Sequence, residues 1–162
     1  PPMTADKRKD YIRYSNLSIQ YMNFKEKLEK IEDELRPTSL QDPKKSISDY
    51  NYKDLTPKNR LIKCLMSENS QSSATNLANM IINTIVFGLK TVMYGFPQMY
   101  YIMLLKGDFN VFEYHLYTID KYVDQLMYLI REPGNSKFTQ FQQLCNLIDS
   151  EARIVLEEGE KF

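Results

Sequence analysis

Tryptophan is absent, histidine occurs once, and there are only two cysteines and five glycines. Each shortage removes a class of chemistry. Zinc sites need His and Cys ligands clustered at short spacing, and His115, Cys64 and Cys145 stand far apart. A Ser-His or Cys-His nucleophile is left with His115 alone. That residue lies between Tyr114 and Leu116 on an amphipathic pattern, the setting of a partly buried or rim histidine. The glycines, at 88, 95, 107, 134 and 159, are scattered and form no phosphate-cradling loop. No catalytic group, metal or cofactor is therefore expected. Cys64 and Cys145 fall on helical patterns and read as buried, reduced thiols, which implies an intracellular protein of the cytoplasm and nucleus. Net charge is missing too, with 21 basic residues against 21 acidic, so no global field attracts nucleic acid or anionic lipid.

Period-two alternation is also lacking, and no strand is expected. The stretch from Asn69 to Leu89 carries no charge over 21 residues, long enough for a bilayer helix. Gln71, Asn76, Asn79 and Asn83 interrupt it, however, and lipid would leave their amides unpaired. No membrane span is expected.

What the chain does have is helical periodicity. Tyr14, Leu17, Tyr21, Phe24, Leu28, Ile31 and Leu35 step alternately by three and four, which places them on one stripe of a helix. Lys25, Glu26, Lys27, Glu29, Lys30, Glu32, Asp33 and Glu34 form its solvated face. This first helix is predicted over about 5–35, ending at Arg36-Pro37. Thr56-Pro57 reads as a capping hydroxyl followed by proline at the first helical position. It opens a second helix through Leu61, Ile62, Leu65 and Met66. A third, about 73–94, is apolar over most of its circumference and is expected to be central. Gly95-Phe96-Pro97 then predicts a break, with a short fourth helix over 97–106 closed by Gly107. Asp108 or Asn110 caps a fifth, running to Arg131. Pro133-Gly134-Asn135-Ser136 is a turn, and Phe138, Phe141, Cys145, Ile148, Ala152 and Val155 define a sixth helix.

The expected fold is all-α: about six helices in antiparallel hairpins in a single domain over 1–162, which either close into a bundle or, the favoured arrangement, stack as a HEAT-like or middle-domain-like short solenoid. Residues 37–57 form a long connecting strap anchored by Ile47, Tyr50, Tyr52 and Leu55. The two ends, Pro1-Pro2-Met3 and the charged run to Phe162, read as cuts in a longer protein.

For partner binding, the candidates are Tyr50, Tyr52 and Leu55 on the strap. Tyr100 and Tyr101, beside Met99 and Met103, are the others, because flexible and aromatic apolar side chains adapt to partners. Asp120 with Asp124 is the clearest carboxylate pair and reads as solvated helix surface. The alternative is nucleic-acid binding, through Lys7, Arg8, Lys9 and Arg13, Lys44-Lys45, and Lys58, Arg60 and Lys63, with tyrosines for stacking. A third reading makes the helix-1 stripe a dimerising coiled coil. Its aromatics suit an irregular core better, so the isolated domain is expected to be a monomer.

One local pattern is Leu104-Leu105, then Asn110, then Tyr114-His115-Leu116. Upstream, Arg60-Leu61-Ile62 leads through Ser67, Asn69, Ser70 and Ala74 to Leu77. In this order, with the opening and closing helices, the chain resembles the helical connector of a deadenylase scaffold. That scaffold is the large subunit of the eukaryotic mRNA deadenylase complex named for carbon catabolite repression and "negative on TATA". The resemblance implies a non-catalytic scaffold or connector binding other protein subunits in mRNA deadenylation and translational repression. It transfers no catalytic residues.

Overall fold

The structure, a computed structural model, describes residues 4–106 and 110–160, and their side chains except those of 96–104, 106, 110–112 and 159–160. Five α-helices account for most of it: α1 (Ala5–Leu35), α2 (Pro57–Leu65), α3 (Gln71–Lys106), α4 (Asn110–Arg131) and α5 (Phe138–Glu160). Two single-turn 3-10 helices, Ile47–Asp49 and Tyr52–Asp54, lie between α1 and α2. No strand occurs among the described residues.

The helix ends follow local chemistry. Thr4 accepts the Lys7 N–H at 3.2 Å to start α1, and Thr56 accepts the Asn59 N–H at 3.4 Å behind Pro57 to start α2. The Ser70 hydroxyl accepts from Ser73 N–H at 3.3 Å ahead of α3. Gly134, at φ 53°, turns the chain between α4 and α5, a backbone region where L-side chains are strained.

The predicted break at Gly95-Phe96-Pro97 is absent: α3 runs through it, so the described residues form five α-helices and not six. The physical reason lies in packing. Gly95 is buried, and a Cβ there would meet Val155 Cγ1 at 3.1 Å. The glycine serves close approach to α5, not chain reversal. Pro97 removes one backbone donor, a local cost that the length of α3 on either side outweighs. Gly107 and Asp108, expected as caps, lie outside the described residues.

The solenoid expectation is corrected as well. In a solenoid each repeat touches only its neighbours, whereas α3 packs against every other α-helix and α1 is bonded to α4, more than 90 residues later. The result is a helical bundle. Gly88 faces Ile148 and Gly95 faces Val155, so α3 and α5 run parallel. Lys27 meets Asp120 and Asp124 while Glu34 meets Arg131, so α1 and α4 also run parallel. α5 covers one side of the α3/α4 pair and α1 the other. The core joins Leu17, Phe24, Leu28, Ile31 and Leu35 of α1 to Ile81, Ile85, Leu89 and Val92 of α3, Ile119, Val123 and Leu126 of α4, and Phe141 and Ile148 of α5. Each such side chain contributes roughly 1.5–3 kcal/mol on burial. Within α3, Gln71–Gly95 has the length and apolarity of a membrane span, and its Ala74, Ala78, Ile81, Ile85 and Leu89 are buried in this core.

Residues 36–56 cross the end of the bundle, and α2 holds them there. Ile47, Tyr50 and Leu55 are buried. The Tyr50 hydroxyl accepts from the Asp42 N–H at 2.7 Å and donates to the Asp42 carbonyl. From α2, Asn59 Nδ2 donates to Thr38 O at 3.1 Å, and Lys63 Nζ donates to the carbonyls of Ser48 and Tyr50. Arg60 Nε donates to Tyr52 O at 2.7 Å and Leu55 O at 3.1 Å, and its NH1 reaches Arg131 O, at the end of α4, at 3.0 Å.

Candidate functional site

The most site-like feature is the groove between the parallel helices α1 and α4. Because Lys27, Lys30 and Glu34 sit beside the buried stripe of α1, they face α4 across the gap. Lys27 Nζ bonds both Asp120 Oδ1 and Asp124 Oδ1, the two carboxylates that one helical turn of α4 stacks together. Two turns further along, Glu34 takes Arg131 in a two-pronged pair, Nε to Oε1 at 2.6 Å and NH2 to Oε2 at 2.8 Å. These hydrogen bonds push the Arg131 pKa still higher, against a lowering by partial burial. Two hollows flank the Lys27 bridge. One, of about 300 Å³, is lined by Gln20, Asn23, Phe24, Lys27, Leu116 and Tyr117. The other, of about 350 Å³, is lined by Asn23, Ile31 and Met127 and by the charged Glu26, Lys27, Lys30, Glu34, Asp124 and Arg131. The first hollow combines amides, a phenol and the apolar Phe24 and Leu116 with the charges of Lys27, Glu113 and Asp120, and the second is mostly charged. A lysine hydrogen-bonded to two carboxylates acts here as a strut.

The second polar cluster lies on the far side of α4. His115 Nδ1 donates to Glu151 Oε1 of α5, and the two side chains are only 10% and 12% exposed. The Tyr114 ring stands edge-on to the imidazole, centroids 5.7 Å apart and planes at 70°. Thr118 turns its hydroxyl back to Tyr114 O at 2.7 Å. A buried, hydrogen-bonded pair at a helix–helix seam is first of all a packing device.

Both thiols are free and buried. Desolvation raises Cys145 to about 11, outweighing a lowering hydrogen bond from Thr84 and joined by repulsion from Asp149. Cys64 is likewise raised by burial, which Lys137 opposes and Glu68 reinforces. Its Sγ donates to Ser136 O at 3.0 Å. Neither has the electropositive, accessible setting of a reactive cysteine. No group of three or more His, Cys, Asp or Glu side chains converges as a metal site among the described residues.

The sequence-predicted residues disperse. Tyr50 and Leu55 are buried and anchor the strap; Tyr52 is half-buried, its hydroxyl 3.5 Å from Gly134 O. Lys45 and Lys63 stand over the Tyr50 and Tyr52 rings at 4.9 and 5.0 Å. The side chains of Tyr100 and Tyr101 lie outside the described residues. Of the basic trio offered for nucleic acid, Arg60 and Lys63 are taken up by strap carbonyls. Asp120 and Asp124, expected to be plain solvated surface, are ion-paired to Lys27. Sequence reasoning missed the groove because its walls are separated by 93 to 97 residues. The one usable signal was that Asp120, Asp124 and Arg131 share an edge of α4, as Lys27 and Glu34 share one of α1. Comparison with protein-family models, with curated proteins and with solved structures finds no match for this chain.

Proposed function

We propose that this chain is a non-catalytic scaffold or connector domain that holds neighbouring protein subunits at fixed distance and orientation. The observation that carries the reading is the double bracing of α1 on α4, Lys27 with Asp120 and Asp124 and Arg131 with Glu34. Surface ion pairs are individually weak, about 0.2–1 kcal/mol each. Spaced along two parallel helices, they set register and spacing, which is what a rigid spacer needs. The strap adds a second tie, since Arg60 of α2 grips both it and the end of α4.

The resemblance of Leu104-Leu105, Asn110 and Tyr114-His115-Leu116 to the deadenylase scaffold supplies the assembly: one that shortens poly(A) tails and represses translation in cytoplasm and nucleus. Tethering the chain to a reporter mRNA in cells tests this. The expected result is a shortened poly(A) tail and co-recovery of the deadenylase nuclease subunits. A tail of unaltered length removes the deadenylation reading.

A further inference from the structure

α1 carries a second stripe, on the side facing away from the bundle. Arg8, Ile12, Ser15, Ile19, Met22, Glu26 and Glu29 step by four, three, four, three, four and three, the spacing of one helical face. It lies opposite Leu17, Phe24, Leu28, Ile31 and Leu35, which are buried. Its middle is apolar and open: Ile12, Ile19 and Met22 are 52%, 59% and 55% exposed, and Tyr11 beside them 60%. Between Tyr11 and Phe24 the only charge is Arg13, whereas Lys25 to Arg36 is charged at most positions. A solvated helix back ordinarily looks like the latter segment. Exposed apolar clusters of this kind mark interaction surfaces.

The ends of the stripe identify what fits it. One end is basic (Arg8) and the other acidic (Glu26 and Glu29), with the apolar residues between. We propose that this face binds a second copy of the chain, the two α1 helices crossing antiparallel about the level of Leu17. In that register Arg8 of each copy lies opposite Glu26 of its partner, Ile12 opposite Met22, and Ser15 opposite Ile19. Every pairing occurs twice by the two-fold axis, as a self-complementary interface requires. The small Ser15 leaves room for the opposing Ile19 near the crossing. A parallel pairing would instead set Arg8 on Arg8 and Glu26 on Glu26, like on like. Among the described residues no intramolecular ion pair engages Arg8, Glu26 or Glu29, so their charges remain for a partner. The interface is distinct from the helix-1 coiled coil considered in the sequence, whose stripe the fold itself buries. It revises the expectation of a monomer and does not depend on the deadenylase resemblance, and its acidic end meets the α1/α4 groove at Glu26.

The paired segment, 8–26, is about 28 Å long, which places the dimer at the small end of specific interfaces and its dissociation constant on the order of 10–100 μM. Sedimentation equilibrium of the full chain from about 5 μM to about 1 mM tests it. The expected result is a monomer–dimer equilibrium that weakens with added salt. Ile19→Glu weakens it by about a hundredfold or more, placing two charges in an apolar contact. Arg8→Glu and Glu26→Arg each weaken it about tenfold, and the double variant returns to within about threefold of the parent. Circular dichroism melts check that each variant stays folded, as exposed positions allow. A monomer throughout that range overturns the proposal and leaves the face to some other occupant. So does a dimer indifferent to Ile19→Glu, or one that the double charge reversal fails to restore.

Discussion

Gly88 of α3 lies so close to Ile148 of α5 that a Cβ on the glycine would stand 2.5 Å from Ile148 Cγ2. One heptad on, Gly95 repeats the relationship with Val155 at 3.1 Å. Two bare backbone positions thus set how near the parallel helices approach.

Gly88→Ala should therefore destabilise, although alanine is the better helix former by about 0.8–1.0 kcal/mol. Overpacking costs about 1–3 kcal/mol, and Ile148 Cγ2, a branch methyl held next to its own backbone, has little freedom to move aside. Urea unfolding should show a net loss of up to about 2 kcal/mol, with Gly95→Ala milder. Adding Ile148→Ala to Gly88→Ala should cost less than the sum of the two single changes, because the new methyl fills part of the vacated space. Strict additivity would mean that the two positions do not press on each other.

The pair formed by His115 and Glu151 predicts a coupled loss. Replacing either residue with alanine leaves a nearly buried polar group without its partner, at about 1–3 kcal/mol. The double alanine variant should be no worse than the poorer single one. A double-mutant cycle on chemical denaturation measures the coupling directly. No coupling would show that the seam of α4 and α5 closes without this bond.

Arg60 is a second point of leverage. Its guanidinium serves Tyr52 O, Leu55 O and Arg131 O together, a fork that lysine cannot reproduce. Both Arg60→Ala and Arg60→Lys should speed amide hydrogen exchange over residues 47–56 while leaving α3 and α5 protected. Unchanged exchange in the strap would show that Ile47, Tyr50 and Leu55 hold it without help.

Cys145 should be inert until the bundle opens. With its thiol raised to about 11 by burial, alkylation at pH 8 should proceed only at the rate of global opening and should accelerate in step with urea-induced unfolding. The same shift has a pH consequence. Between the ordinary value near 9 and about 11, the unfolded chain has lost the thiol proton while the folded one keeps it. Stability therefore falls as pH rises through that window and is unaffected by this group below it. Cys145→Ser should flatten that part of the stability–pH curve.

Much of the architecture was legible because burial follows pitch. Leu17, Phe24, Leu28, Ile31 and Leu35 all face the core as their spacing predicts, and Tyr21 packs at its edge. Tyr14, at the same pitch, is 37% exposed, since α1 there projects beyond the best-covered part of the bundle. The turn at Pro133 to Ser136 was equally plain, with Ser136 N–H bonded to Pro133 O at 2.9 Å. Gly95 was misleading for a definite reason: a glycine that ends a helix and one that admits a neighbouring helix have the same side chain, and only Val155 distinguishes them. The α1/α4 groove was hidden because nothing local in Lys27 points to Asp120. The strap tyrosines were visible as anchors, but whether an anchor faces inward or toward a partner depends on Asp42 and Lys63, whose positions come from the fold.

The parallel placement of α1 and α4 has a consequence for synthesis. A ribosome completes α1 at Leu35 before the first residue of α3, Gln71, has been made, and Asp120 follows later still. Until α3 is made its greasy inner edge lacks its main cover, so the newborn helix must wait exposed or be sheltered by a chaperone. The closing of α1 onto the hairpin of α3 and α4, through contacts 93 to 97 residues apart in the chain, should then be a late step of folding.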